Sequence, residues 1–386
     1  MIKMYTARTS EIDEIDEAIA EIKSQIDFTA LKKNSGGIIF CHLDFIESGI
    51  VEALCKELPF GVIGMTSMAS ADEHGFSLYD LTLTVLTSDE VVFEVGMTNS
   101  ISRDNYIDET KNLYNNIRGK VADDPAMIIT FLPYIRDLSG YEVVAAMDDA
   151  CHGIPMWGSI SSSVEFNYDT VQTICNGNSL SAGVAMMCIN GPVKPEFIVT
   201  SIPERNISNN KAIITKSEGA ILREVNDMPI LEYLKNVGLV ITKDNITTSP
   251  LMVYYDDAPE PVALGFYTLF EDGSVLTGGR MPEGTSFSVG SIGIDAEGIF
   301  ESAENGMKKV TAVKERQVTL VLPCITRYVM LAPDQERELR LISENLIASG
   351  KPFMMGYAGG EICPMRGQDG KLHNRFHNYT FSACIL

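Results

Sequence analysis

The sequence predicts an α/β protein with mixed sheets, built from three repeated αβαβ units and a β-rich middle segment. Three observations carry this. Short, continuous apolar strands alternate with amphipathic helices, the pattern of a sheet covered on both faces and at least partly parallel. The closing strand of each unit follows a proline (Pro59, Pro155, Pro352) and reaches a glycine (Gly64, Gly158, Gly356). Between the second and third units, over residues 195–290, the apolar pattern reads mainly as β structure.

The first unit opens with Ile12, Ile15, Ile19, Ile22 and Ile26, an apolar stripe at helical spacing behind Ser10, a residue suited to capping. Residues 37–41 form the first strand, 47–58 the second helix and 59–64 the closing strand; 81–86 then alternate as a further strand. The second unit has a helix carrying Tyr106, Ile107, Leu113, Tyr114 and Ile117, a strand over 127–132, a helix from about Tyr141 and a closing strand over 155–158. Residues 173–175, the Asn176-Gly177 turn and 182–189 read as a hairpin, because Asn-Gly tolerates the left-handed turn that twisted strands need.

In the β-rich segment, 266–270 and 274–276 flank Asp272-Gly273, a second hairpin signal, and one helix fits 230–236. The third unit has a helix near 295–309, a strand over 318–322, a helix over 333–347 and a closing strand over 352–356. The strand 379–386 follows. Units of this kind also recur by convergence in α/β proteins; the shared proline-to-glycine endings favour internal relatedness.

A chain of 386 residues exceeds one typical core. Its formal net charge of −22 opposes nucleic-acid backbones and anionic membrane surfaces alike, and reads most simply as a solvated, solubilising surface. The N-terminus has no basic-then-apolar leader, and no apolar run is long enough to cross a bilayer. A cytoplasmic protein is expected, with its eight scattered cysteines reduced and no Cys-x-x-Cys pair.

Phosphate-loop, Gly-x-Ser-x-Gly, His-Glu-x-x-His and calcium-loop signatures are absent, so no cofactor is implied. The glycine-rich run 356–360 is followed by no helical pattern that could hold a phosphate. His373, His377 and Cys363 have helical spacing in a stretch that reads as a loop entering a strand, so they are read as polar loop residues, not metal ligands. Cys324, where a strand ends, would act as a nucleophile only beside a base such as His152 or His373; otherwise it is a buried thiol.

Several of these segments also carry a family resemblance. Val62-Ile63-Gly64-Met65-Thr66 and Pro155-Met156-Trp157-Gly158 resemble two glycine turns of the FIST N-terminal domain. Residues 220–234, Cys324-Ile325-Thr326-Arg327, the run 356–362 through Glu361-Ile362, and Asn378-Tyr379-Thr380 resemble successive motifs of the FIST C-terminal domain. Met65 stands where the family usually has Cys, and Ala358-Gly359 replaces a bulkier pair. The resemblance implies an N-terminal-type domain over 1–205 and a C-terminal-type domain over 206–386. It also implies a sensory, non-enzymatic role: a small ligand, of the amino acid class, reported to a downstream signalling protein.

Ligands of open α/β sheets settle beyond the carboxyl ends of strands. Arg327 and Glu361 follow two such ends in the third unit, and a guanidinium with a carboxylate suits the two charges of an amino acid. Tyr357, Cys324, Thr380 and Asn378 are the neighbouring wall candidates, with Thr66, Ser159 and Ser161 (beside Ser67 and Ser162) at the other strand ends. Two alternatives stand: an Arg327–Glu361 salt bridge that only fixes loops, and a thiol-dependent hydrolase or transferase using Cys324.

Overall fold

A computed structural model describes residues 1–242, 245–246, 249–290, 296–315 and 317–386. Three six-stranded sheets share one strand order. The first runs Lys3–Thr9, Leu81–Ser88, Asn34–Cys41, Gly61–Thr66, Thr173–Cys175, Asn178–Leu180. The second runs Val92–Met97, Ala185–Asn190, Met127–Leu132, Met156–Ile160, Glu361–Ile362, Phe376–His377. The third runs Glu196–Thr200, Phe381–Ile385, Thr319–Pro323, Phe353–Gly356, Ser70–Asp72, Gly75–Ser77. In each, the third and fourth strands are parallel and every other neighbour is antiparallel.

The last two strands of each sheet come from elsewhere in the chain. The segment after Gly61–Thr66 completes the third sheet, that after Met156–Ile160 completes the first, and that after Phe353–Gly356 completes the second. The exchange closes a ring, and strands from both sides of residue 205 share two of the sheets.

Alternation along the strands explains the packing. Phe40, Ile63 and Met65, Ile129, Phe131 and Trp157, and Leu320, Leu322 and Met354 point from the three sheets into one central core. The intervening residues face helices instead: Ile39 meets Ile22 and Leu54, Ile128 meets Leu113 and Val144, and Val321 meets Val310 and Leu339. Strands buried on both faces read as unbroken apolar runs for this reason. The β-rich segment forms an eight-stranded antiparallel sheet with its own core around Leu222, Leu234 and Phe287.

Several expectations shift. The first helix is Ile15–Gln25, capped at Glu14 and not Ser10, and Ile12 and Ile15 are exposed. The second breaks into Asp44–Glu47 and Ile50–Glu57, with Gly49 left-handed between them. The Asn176-Gly177 turn forms, but its returning strand is Asn178–Leu180; Ala185–Asn190 belongs to another sheet. The third unit's first helix is Ala296–Ala312, and Asp295 lies outside the described residues. Its last helix starts at Arg337, after a separate turn of helix at Ile325–Met330. The strand Lys3–Thr9 was not anticipated.

Gly64 and Gly158 are not turns but lie within strands, and Gly356 ends one. A Cβ at Gly158 would sit 1.7 Å from the Thr130 carbonyl oxygen, and one at Gly356 would sit 2.5 Å from the Phe40 ring. Close approach, not a special turn, demands glycine there.

Candidate ligand site

The closing strands of the three units end against one another. Ser67 Oγ donates to the Tyr357 carbonyl at 3.2 Å, and Ser162 Oγ donates to the same oxygen at 2.7 Å. Thr66 Oγ1 accepts from Gln172 N, Ser159 Oγ donates to the Ile160 carbonyl and Ser161 Oγ to the Leu132 carbonyl. These hydroxyls are buried and joined to the main chain. They therefore satisfy backbone groups at the centre of the ring.

Arg327 and Glu361 are both fully buried, and each has its own partner. Arg327 pairs with Glu338, through Nε at 2.8 Å and Nη2 at 2.5 Å to the same oxygen. Its remaining reach goes to the carbonyls of Tyr379 and Ile299, each at 2.9 Å. Tyr357 Oη donates to the other Glu338 oxygen at 3.4 Å. The expected opposition of Arg327 to Glu361, whether around a ligand or as a loop-fixing bridge, is thus replaced by an Arg327–Glu338 pair.

Glu361 sits opposite Ser159 in the register of the second sheet. Its Oε2 accepts from Thr380 Oγ1 at 2.6 Å and Thr380 N at 3.2 Å, whereas its buried Oε1 has no hydrogen-bond partner. Burial pushes its pKa up to about 8, against the lowering effect of Thr380 and the neighbouring Cys324 thiol. Burial thus favours the protonated form, in which the carboxyl can donate as well as accept. Tyr379 joins the two clusters: its left-handed backbone (φ 58°) gives its carbonyl to Arg327 and presents Thr380 to Glu361. Such a conformation is uncommon for an aromatic residue.

Burial, reinforced by Glu361, drives the Cys324 thiol pKa well up. His373 pairs with Asp369 at 2.9 Å, and His377 is buried against the Cys363 carbonyl at 3.0 Å, its pKa pushed down to about 4 by burial.

An open pocket of about 430 Å³ lies at the seam between the second unit and the β-rich segment. That size falls within the roughly 300–1,000 Å³ usual for small-molecule sites. Tyr134, Tyr168 and Tyr267 form its aromatic wall, with ring centroids 4.7 Å apart (Tyr134–Tyr168) and 6.0 Å apart (Tyr134–Tyr267). Arg136 and Asp169, paired at 3.0 Å and exposed, stand on its rim. The wall backs onto the loop that carries the buried acid: Tyr267 Oη donates to the Gly359 carbonyl at 3.3 Å, two residues before Glu361, and burial raises the pKa values of Tyr168 and Tyr267. Asn378 connects the two, its Nδ2 donating to Tyr267 Oη at 2.6 Å and its Oδ1 accepting from Gly265 N at 2.8 Å.

Thus Glu361, Thr380, Cys324 and Asn378 come together behind the pocket, Arg327 and Tyr357 form a separate buried network, and Thr66, Ser159 and Ser161 belong to the central locks. Sequence reasoning missed the tyrosines, Arg136 and Asp169, although Tyr134 and Arg136 follow the strand Met127–Leu132 and the strand-end rule applied to them equally. Glu338 had a signal too, the one charged residue on a helix face with Leu339, Ile342, Ser343 and Leu346.

The FIST N domain model matches residues 36–228, half of the chain. No curated protein matches. Among solved structures, the chain is similar to the cyanuric acid hydrolase of A. caulinodans at 8% identity and a TM-score of 0.38, over 100% of this chain and 99% of that one. A second structure, described as a cyanuric acid hydrolase and an innovation by structural concatenation, gives 9% identity and a TM-score of 0.33, again over 100% of this chain and 99% of that one. Likenesses this distant carry nothing about activity. Among the described residues no helix is long and apolar enough to cross a membrane.

Proposed function

The chain belongs to the FIST family of sensory domains, and from that premise we propose that it binds a small amino acid-like molecule and reports it to a partner protein. The observation that carries the reading is the tyrosine-walled pocket, whose Tyr267 is tied by Asn378 to the buried cluster of Thr380 and Glu361. A buried carboxyl with one oxygen unpartnered is costly to keep, and a ligand or its bridging water would satisfy it. Arg136 and Asp169 supply the opposite charges that a zwitterion needs, and the tyrosines face its side chain. Glu361, Asn378, Thr380 and Cys324 stand behind the tyrosine wall in this reading. Walls drawn from the second unit and from the β-rich segment would let an occupant change how the two meet, which is a route to a signal.

The thiol-dependent alternative asks for a thiolate, and burial beside Glu361 holds Cys324 in the opposite state. Calorimetry with a panel of amino acids tests the binding reading. Wild type should bind one class of them, and Tyr267→Ala and Arg136→Ala should each weaken it at least ten-fold. If Arg327→Met alone abolishes binding while remaining folded, the site is at Arg327; if no compound binds the wild type, the reading fails.

A further inference from the structure

The loop that lines the pocket also builds a surface patch. Asn167, Tyr168 and Asp169 face the pocket, while the preceding Phe166 is 38% exposed with its backbone left-handed at φ 55°. Ser163 pins this turn: its Oγ accepts from Asn167 N at 3.0 Å, and its carbonyl accepts from Phe166 N at 3.1 Å. The folded chain therefore holds an apolar ring towards water in a conformation that bulky residues avoid.

Phe166 does not stand alone. Its ring lies 6.5 Å from Tyr328, which packs edge-on at 5.9 Å against the buried Tyr357. The adjacent Glu165 meets His42 at 3.1 Å, and His42 lies 5.6 Å from the ring of Tyr79, which is 59% exposed. The rim carries carboxylates: Asp44 and Glu165 flank His42, and Glu336, which acts on Tyr328, shares Arg340 with Asp334. Tyrosine and phenylalanine faces bordered by carboxylates suit one type of side chain above others. A guanidinium stacks on aromatic rings and forks onto carboxylates, whereas an ammonium does the second poorly.

We propose that the patch formed by Tyr79, His42, Phe166 and Tyr328 is the docking surface for an arginine-bearing segment of the partner protein. This rests on the sensory reading above, since it supplies the output that such a reading requires. The shared loop is the link: an occupant that shifts Tyr168 shifts Phe166 two residues away. Charge complementarity fixes the occupant's sign, because the protein carries a net charge of −22 and the rim of this patch carries carboxylates.

The test uses fluorescently labelled hexa-arginine and hexa-lysine peptides, titrated by anisotropy at physiological ionic strength, where long-range attraction is largely screened. Hexa-arginine should bind wild type several-fold more tightly than hexa-lysine. The double variant Tyr79→Ala/Phe166→Ala, which leaves the charge unchanged, should lose at least ten-fold for hexa-arginine and bind both peptides equally. A control double variant at exposed apolar residues elsewhere, Ile107→Ala/Val240→Ala, should match wild type. Equal binding of hexa-arginine by the Tyr79/Phe166 variant and wild type overturns the proposal, as does a lack of preference for arginine. Because no small ligand is present in these titrations, they stand or fall separately from the amino acid calorimetry.

Discussion

Arg327 and Glu338 form a buried ion pair whose two members depend on each other. Removing one leaves the other charged and dry, at a cost of about 3–5 kcal/mol, whereas replacing both with apolar residues of similar volume is often neutral. Arg327→Met should therefore lower stability by that amount in urea unfolding, and Arg327→Met/Glu338→Leu should recover most of it. A double variant no better than the single would mean that the Tyr379 and Ile299 carbonyls, not the carboxylate, set the cost. Glu361 behaves in the opposite way. Its folded pKa of about 8 lies above the ordinary carboxylate value of 4.5, so the folded state keeps a proton that the unfolded chain releases. Its effect on stability is neutral below the unfolded value, turns unfavourable as pH rises through that value and stops growing above the folded one. Glu361→Gln keeps a neutral side chain at every pH, so its stability relative to wild type should climb between about pH 5 and 8 and then level off. Thermal unfolding at several pH values checks this; parallel curves would show that Glu361 is ionised in the folded protein.

Closing strands are where elements constrain single residues. Gly158 lies in the strand Met156–Ile160 beside Met127–Leu132, and an added Cβ would collide with the Thr130 carbonyl oxygen. Main chain cannot yield as a flexible side chain can, so Gly158→Ala should destabilise by roughly 1–3 kcal/mol or more, the usual range for overpacking. Gly75→Ala tests a different physics: nothing lies within 4 Å of its Cβ position, and only its left-handed φ of 119° resists the change. Differential scanning calorimetry should find the Gly158 variant the less stable of the two. The same contrast explains why the glycines could be found but not understood from the sequence. A glycine forced by a neighbour's backbone and one forced by its own torsion look alike until the neighbour is known. The Asn176-Gly177 turn was legible because its chemistry is local, with both residues left-handed (φ 50° and 84°). Which strand returned from it was not local, and the expected 182–189 partner went to a different sheet.

At the scale of the molecule, the three sheets complete one another. The fragment 1–205 would retain most strands of the first two sheets but lose Glu361–Ile362 and Phe376–His377, and it would leave Ser70–Asp72 without Phe353–Gly356. It would also expose the inner faces of Phe131, Trp157 and Ile63 where Leu320, Leu322 and Met354 now cover them. Such a fragment should lack a cooperative thermal transition and bind an apolar dye, in the manner of a collapsed chain without fixed packing. A sharp transition in fragment 1–205 would show that the exchanged strands are accessory.

The sequence by itself determined the α/β class, the central strands, most helices to within a few residues, and the family, because periodicity, turn residues and short motifs are properties of neighbouring residues. It also singled out Glu361, Thr380 and Asn378 as residues of interest. Only the tertiary structure decided what they meet. Arg327 took Glu338 in place of Glu361, Gly64 and Gly158 met backbone across parallel pairs, and the pocket drew Tyr134 and Tyr168 to Tyr267. Partners between 11 and 133 residues away are chosen by how whole sheets pack. Burial, the term that raises the Glu361 pKa, exists only once that packing is complete.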